Sequence, residues 1–206
     1  MSLKEVIKMD NHAMHRRPDI LITAGADPGL AKFGLAILKN EDQKISLVET
    51  LLLETEKSDK KVMRDLRVSA DDQRRLKEFW DIITERLVGH KVKAVGIESY
   101  APFPGSMGGN SWKVAFAYEM SVCACWANNV TPMIFRPDDL KRRFLGKNSG
   151  SKIEITNAII DKVSGAKEEL ETYPKTKREH IADAIGHAYL AMEELQKMRS
   201  MYSNIL

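Results

Sequence analysis

Long apolar runs are missing from this 206-residue chain, and it has only two cysteines. The longest apolar stretch, residues 45 to 53, is far shorter than the roughly 18 residues of a membrane span, and we expect neither a span nor a signal peptide. Cys123 and Cys125 lie two residues apart on a predicted helix, which argues against a mutual disulfide or a zinc knuckle. The sequence therefore predicts an intracellular protein in which both cysteines are small core residues.

A strong excess of charge of either sign is also missing. The net charge is +3, and 43% of the residues are hydrophobic while 30% are charged. This composition predicts one domain with a sizeable core, and it permits a nucleic-acid partner without requiring one. No internal repeat is present, so the positions of particular charges must decide the function.

Hydrophobic periodicity predicts a mixed α/β architecture. Residues 1 to 19 have no sustained period and are predicted to form a partly mobile leader. Three apolar segments then predict two consecutive hairpins, and later segments predict parallel strands joined through helices. The expected strands are 20–26, 33–39, 46–53, 92–97 and 131–135. The expected helices are 69–87, 112–128, a short helix that begins near Pro137, 152–163 and 178–199. These elements predict a five-stranded sheet in which a three-strand antiparallel meander is followed by two parallel strands, flanked by helices.

Acidic residues stand at the ends of two predicted strands. Asp27 follows the first strand in the stretch ADPGLAKFG, and Glu98 follows the fourth. Asp-Pro-Gly is also ordinary turn chemistry, so a purely structural role for Asp27 remains an alternative. On the last helix, His180 and Asp183 are three residues apart on one face, with His187 near the same face, although solvated positions near a helix start would look the same.

Four of these side chains are candidate metal ligands, namely Asp27, Glu98, His180 and Asp183. Together they suit a divalent cation better than any of them does alone. Carboxylates that converge without a cation repel one another and raise one another's pKa values. Hard cations such as Mg²⁺ prefer carboxylate oxygens and keep water molecules for phosphate substrates. Two such ions can activate water and stabilise the leaving oxygen in phosphodiester hydrolysis.

Three stretches of the chain resemble the Holliday-junction resolvases of the RuvC type, within the ribonuclease H-like superfamily. They are ADPGLAKFGLAIL at 26–38, VGIESYAPFPG at 95–105 and HIADAIGHAYLA at 180–191. The resemblance implies a ribonuclease H-like nuclease domain over residues 20–206. It also implies a metal-dependent endonuclease that resolves four-way DNA junctions, with a site built from Asp27, Glu98, His180 and Asp183. Histidine replaces the first acid of the late pair, which favours Mn²⁺ beside Mg²⁺ as the cofactor, with two ions per site.

The resemblance also suggests where DNA binds. Tyr100 or Phe103, in the loop after Glu98, would stack on a base at the crossover. The basic segment 136–152 follows the fifth strand, where the family places lysines near the scissile phosphate, although a charge run is more often a solvated face. Lys147 and Lys152 are the candidate phosphate contacts, and Arg142 and Arg143 would contact the DNA further along. Lys32, in the tip of the first hairpin, is a further candidate for DNA contact.

Members of this family work as twofold homodimers, and the helix at 112–128 carries more apolar positions than one buried stripe needs. We take that helix as the candidate interface. The leader and residues 54–72 are additions relative to the bacterial enzymes, which suggests a phage or otherwise divergent member and leaves a partnership with a branch-migration motor open. The alternatives are a nuclease acting on RNA/DNA hybrids or RNA precursors, an actin-like ATP-binding phosphotransferase, and a junction-binding protein with a degenerate site.

Overall fold

The first three strands form an antiparallel meander. The computed structural model describes residues 20–58, 68–100 and 111–203, and the predicted leader lies outside them. Strand β1 is Leu21–Asp27, β2 is Lys32–Glu41 and β3 is Lys44–Glu54. The two residues between β2 and β3, Asp42 and Gln43, both have positive φ angles, as a tight hairpin turn requires.

Two parallel strands extend the sheet beside β1. Strand β4 is Ala94–Glu98 and β5 is Thr131–Phe135, and the strand order is β3-β2-β1-β4-β5. Strands β1 and β4 run parallel, with Ala26 opposite Ile97. The carboxyl ends of these two strands therefore meet at one edge of the sheet, and the residues that follow there are Asp27 and Glu98.

Helices cover both faces of this sheet. In the described part of the chain they are α1 (Val68–Gly89), α2 (Ser111–Ala127), α3 (Pro137–Leu145), α4 (Lys152–Lys162), α5 (Ala166–Thr172) and α6 (Arg178–Ser203). Helices α1 and α2 bury one face of the sheet, where Phe79 and Cys125 belong to the same core as Phe33. Helices α4, α5 and α6 bury the other face, around Ile159, Leu170 and Ile185. Each apolar face of the sheet thus has its own hydrophobic core.

Glycines let helix α6 lie directly on the middle of the sheet. A Cβ atom added to Gly25 or to Gly96 would stand 2.0 Å from the backbone carbonyl oxygen of Ala184 or of His187, respectively. The Thr23 hydroxyl donates a hydrogen bond of 2.9 Å to the Ala188 carbonyl in the same interface. Because any side chain at these glycines would push the helix away, this close packing brings the first turns of α6 to the strand ends.

The predicted fold is confirmed, with one helix added. The five-stranded mixed sheet has the predicted strand order and directions, and the predicted helices are present within a few residues of their expected bounds. Helix α5 was not predicted, because its seven residues, AKEELET, are too few to show a period. In the part of the chain that the structure describes, no helix combines the length and apolar character needed to cross a bilayer. The division at residue 19 stays a prediction.

Candidate active site

Three carboxylates meet where β1, β4 and α6 come together. Asp27 ends β1, Glu98 ends β4, and Asp183 lies in the second turn of α6. The side chains of Asp27 and Asp183 are only 17% and 13% exposed. Burial, and then the charges of Asp27 and Asp183, raises the pKa of Glu98 to about 7. Carboxylates held this close out of water favour a bound proton or a bound cation.

His180 joins this group through Asp27. Its Nδ1 lies 2.7 Å from Oδ2 of Asp27, although the two residues are 153 positions apart in sequence. The hydrogen bond to Asp27 raises the pKa of His180 despite partial burial. The predicted late pair on α6 therefore does reach the strand-terminal acids, and the ring's other nitrogen, Nε2, is left for a second partner.

Lys152 supplies positive charge to the same cluster from the start of α4. Its Nζ lies 2.7 Å from Oδ2 of Asp183 and 3.9 Å from Glu179. Burial works against the charged ammonium, but the Asp183 carboxylate outweighs it and raises the pKa of Lys152. Burial also raises the pKa of Asp183, against the opposing effect of Lys152. Lys152 is thus the cation that balances the buried acids in this structure.

The donor set fits hard divalent cations. Three carboxylates and an imidazole are available, and burial together with the charges of Asp27 and Asp183 raises the pKa of Glu98, an effect that a bound cation would oppose. Over the described ranges 20–58, 68–100 and 111–203, no group of three or more His, Cys, Asp or Glu side chains is already arranged as a cage. Three of the four candidate ligands already have partners, because His180 pairs with Asp27 and Asp183 pairs with Lys152. Metal binding would have to exchange those two contacts for metal-ligand bonds.

Two clefts open on either side of Glu98. We call the first the Tyr100 cleft, a cavity of about 290 Å³ whose walls include Asp27, Glu98 and Tyr100. We call the second the Lys152 cleft, a cavity of about 380 Å³ whose walls include Glu98, Lys141, Lys152 and Asp183. A polymer strand laid across both clefts would pass directly over the three acids.

The predicted DNA contacts do not all lie beside the acids. Lys32, Tyr100 and Lys152 each line a cavity that adjoins the acids or His180. Arg142 and Arg143 line a separate cavity of about 410 Å³, where Arg143 is paired with Glu193 on α6. Lys147 lies 3.6 Å from Glu154 and lines none of these cavities. Phe103 lies outside the described residues, so its predicted role stays a prediction.

A buried charge network behind the site was missed. Arg75, on α1, donates 2.9 Å and 3.3 Å hydrogen bonds to the Leu30 carbonyl and to Asp72, and Nζ of Lys113 lies 3.3 Å from the same Asp72 oxygen. Arg75 also donates to the Thr55 side chain at 2.7 Å. The network therefore ties α1 and α2 to the turn after Asp27. The sequence signal for this network is the pair Asp71-Asp72. Near the start of an amphipathic helix, such a pair is expected to be exposed, and for that reason the network was not predicted.

Known proteins resemble this chain in fold. The sequence matches no protein-family model and no curated protein. The structure of Thermus thermophilus RuvC aligns at a TM-score of 0.61 and 20% identity, covering 82% of this chain and 91% of that chain. RuvC from the same organism in complex with a Holliday junction substrate aligns at 0.62 and 21%, covering 82% and 90%. The yeast mitochondrial Holliday junction resolvase Ydc2 aligns at 0.55 and 13%, covering 89% and 86%. The chain therefore shares its fold with RuvC and Ydc2, as the sequence motifs predicted.

Proposed function

We propose that the protein is a divalent-metal-dependent endonuclease that resolves four-way DNA junctions by hydrolysing phosphodiester bonds. One observation carries this proposal: Asp27, Glu98 and Asp183 form a partly buried acid cluster, with Lys141 and Lys152 lining the cleft on one side of it and further lysines lining the cavity beside His180. Carboxylates at the centre of such a groove suit metal-assisted hydrolysis, and the flanking lysines suit the phosphates of a nucleic-acid strand. The likeness in fold to resolvases, one of them solved with a junction substrate, favours branched DNA as that strand.

Asp27, Glu98, His180 and Asp183 would hold Mg²⁺ or Mn²⁺, with two ions per site as the proposed number. The metal would activate the attacking water and stabilise the leaving oxygen. When Nδ1 of His180 carries a proton, it donates a hydrogen bond to the Asp27 carboxylate, and this bond sets the orientation of the ring. A substrate oxygen would then meet the other ring nitrogen, Nε2. His180 can therefore act either as a ligand or as a proton donor.

Lys152 is suited to hold the scissile phosphate. Its ammonium reaches Asp183 from helix α4 without being a ligand itself, and it lines the cleft next to Glu98. When a metal takes over the charge of Asp183, the ammonium becomes available for a phosphate oxygen a short distance away. Lys141 lines the same cleft and would contact the neighbouring phosphate, while Tyr100 offers a stacking surface on the other side of Glu98.

The test compares substrates and metals in one cleavage assay. With Mg²⁺ or Mn²⁺, we expect the protein to cut a synthetic four-way junction at two opposing strands and to leave linear duplex of the same sequence intact. EDTA should abolish this activity, because the acid cluster then has no cation. Preferential cutting of an RNA/DNA hybrid would move the substrate class to another ribonuclease H-like nuclease. Binding of the junction without cutting under any divalent metal would leave the degenerate binding protein as the answer.

We also propose that the enzyme works as a homodimer through helix α2. One face of this helix is exposed along its whole length at steps of four and three residues, namely Trp112, Phe116, Glu119, Cys123 and Trp126. Phe116 and Trp126 are 50% and 65% exposed, although Phe and Trp side chains usually dominate cores and interfaces. The spacing is that of a helix seam packing on a second helix, and a second copy of this chain offers the matching face.

One of the two cysteines on this helix, Cys123, is not the core residue that the sequence predicted. Cys125 is buried in the core, and burial raises the pKa of its thiol to about 12, so it is inert at neutral pH. Cys123 was predicted to be a core residue as well, but it is exposed on the seam. Two residues along a helix differ by about 200° in direction, so the two cysteines face opposite sides.

Placing charge on the seam should separate the two subunits. We expect Trp126→Glu to weaken dimerisation by at least about a hundredfold, because a carboxylate would be buried against an apolar partner. Sedimentation velocity over a concentration series measures this. Val88→Glu, at an exposed apolar position on α1 that is off the seam, is the matched control and should leave the dimer intact. Equal dimerisation of the Trp126 variant and the wild type would exclude α2 as the interface.

A further inference from the structure

A third cavity lies on the other side of His180 from the acids. We call it the turn pocket, a cavity of about 420 Å³ between the β1–β2 turn (Gly29 to Lys32), Arg75 of α1, and Lys113 and Val114 of α2. His180 lines it, and Val114 lines both this pocket and the Tyr100 cleft. The turn pocket therefore adjoins the active-site groove, but it contains none of the three acids.

The walls of the turn pocket are fixed by hydrogen bonds. The Leu30 carbonyl accepts bonds of 2.9 Å from Arg75 and 2.7 Å from the Thr55 hydroxyl, and the Thr55 amide donates to the Ala31 carbonyl at 3.3 Å. Arg75 itself is buried and held by Asp72 and Thr55. A turn anchored at two successive carbonyls keeps its shape, so the pocket is formed before any ligand arrives.

The turn pocket has an apolar lining with cationic side chains among its lining residues. Leu30, Ala31 and Val114 supply apolar surface, while Lys32, Lys57 and Lys113 bring positive charge, and no carboxylate lines the cavity among the described residues. Lys113 is 3.3 Å from Asp72, but Lys32 and Lys57 make no ion pair with any residue in the described ranges. A ligand that matches both properties has a flat apolar part and an anionic part.

We infer that the turn pocket receives one unpaired nucleotide of the DNA strand that crosses the active site. A base would cover the apolar surface and its phosphate would meet Lys32 or Lys57, and the cavity of about 420 Å³ lies in the size range of small-ligand sites. Inorganic phosphate alone would leave the apolar surface uncovered. This inference rests on the proposed function, because a branch point is where a base is most cheaply unpaired. The turn pocket would then help to select the substrate, because it would capture an unpaired base beside the scissile bond.

The test places 2-aminopurine, whose fluorescence rises when it leaves the base stack, at the nucleotide next to the crossover. With the full-length protein in EDTA, we expect the fluorescence to rise severalfold on binding, and we expect no rise when the probe is inside an arm. Ala31→Phe fills the pocket at an exposed position, and it should abolish the rise and weaken junction binding about tenfold. Val114→Phe, at the opposite wall, should do the same.

Two controls separate the possible failures. Val88→Phe adds the same ring at an exposed site roughly 20 Å along α1 from Arg75 and should behave as wild type. An abasic nucleotide at the probe position keeps the phosphate but lacks the base, so it should cost the wild type about tenfold in affinity and the Ala31 variant nothing. If the abasic nucleotide weakens junction binding equally in both proteins, base capture in the turn pocket is excluded. The same holds if the wild type cuts junctions with Mg²⁺ but shows no fluorescence rise, and in both cases the proposed function stands. Loss of junction cutting in the wild type overturns the proposed function.

Discussion

Asp27→Asn is expected to reduce junction cleavage by at least about a hundredfold while leaving junction affinity in EDTA within about twofold of wild type. Removing even an outer partner of a metal ligand typically costs about 10- to 100-fold, so losing a ligand should cost more. The amide of asparagine keeps the size of the side chain and can still accept the hydrogen bond from His180, but it cannot neutralise a divalent cation. The measurement is single-turnover cleavage with Mg²⁺ beside a binding titration without metal.

Glu98→Gln should give the same result for a different reason. The pKa of Glu98 is raised to about 7 by burial and by its neighbours Asp27 and Asp183, so its charge is destabilising until a cation arrives. Glutamine removes that charge, and the metal-free protein should therefore unfold at the same temperature as wild type or higher. A stable but inactive variant shows that the carboxylate serves the reaction and does not support the fold.

Surface carboxylates provide the matched control. Asp81→Asn removes an aspartate on α1 that is more than half exposed and pairs with Lys77 one turn earlier. We expect its cleavage rate to stay within about twofold of wild type, because an exposed pair of this kind contributes little. Cleavage by the Asp27 variant at the wild-type rate, or wild-type activity without any divalent metal, would contradict the proposed mechanism.

The acids could be found from sequence because β-sheet geometry makes their positions predictable. A parallel pair of strands places both carboxyl ends at one edge, so Asp27 and Glu98 had to be neighbours once β1 and β4 were adjacent. The glycine signal was also present, since Gly25 and Gly96 are the positions that let α6 lie on the sheet. The partner of each acid could not be predicted from the sequence. Asp27 and His180, for example, are 153 positions apart in the chain, and only the folded structure shows that their side chains meet.

The basic segment shows where sequence reasoning reached its limit. The sequence predicted that Lys147 and Lys152 contact phosphates and that Arg142 and Arg143 lie further along the DNA, but it could not show which acid each cation meets. In the structure Lys152 begins α4 beside Asp183, whereas Arg143 is paired with Glu193 of α6. Asp183 and Glu193 are ten residues apart, or about 15 Å along one helix, so the two cations serve different regions of the surface. The cations that cluster in the sequence therefore do not form one basic patch in space.

His187 is a second residue whose environment only the structure reveals. It lies on α6 one turn after Asp183, it is fully buried, and its ring stacks on Phe135 with centroids 6.4 Å apart. Neither ring nitrogen has a hydrogen-bond partner within the described residues. Burial lowers the pKa of His187 to about 4, and the charge of Asp27, the nearby backbone of Asp183 and the charge of Asp139 offset this only in part. The folded protein therefore keeps this ring neutral at pH values where the unfolded chain would protonate it.

We expect this ring to make the protein acid-sensitive, and His187→Leu to remove that sensitivity. In the unfolded chain a histidine has a pKa near 6.5, so folding is unaffected by His187 above that pH and loses stability as the pH falls from about 6.5 towards 4. At pH 5 the loss amounts to about 2 kcal/mol of unfolding free energy. Leucine has a similar volume and needs no hydrogen bonds, so the variant should be at least as stable as wild type at pH 8 and about 2 kcal/mol more stable at pH 5. Urea unfolding in EDTA at both pH values measures the difference, and the carboxylates titrate equally in the two proteins. A difference that is the same at pH 5 and pH 8 would show that the buried ring is not kept neutral by the fold.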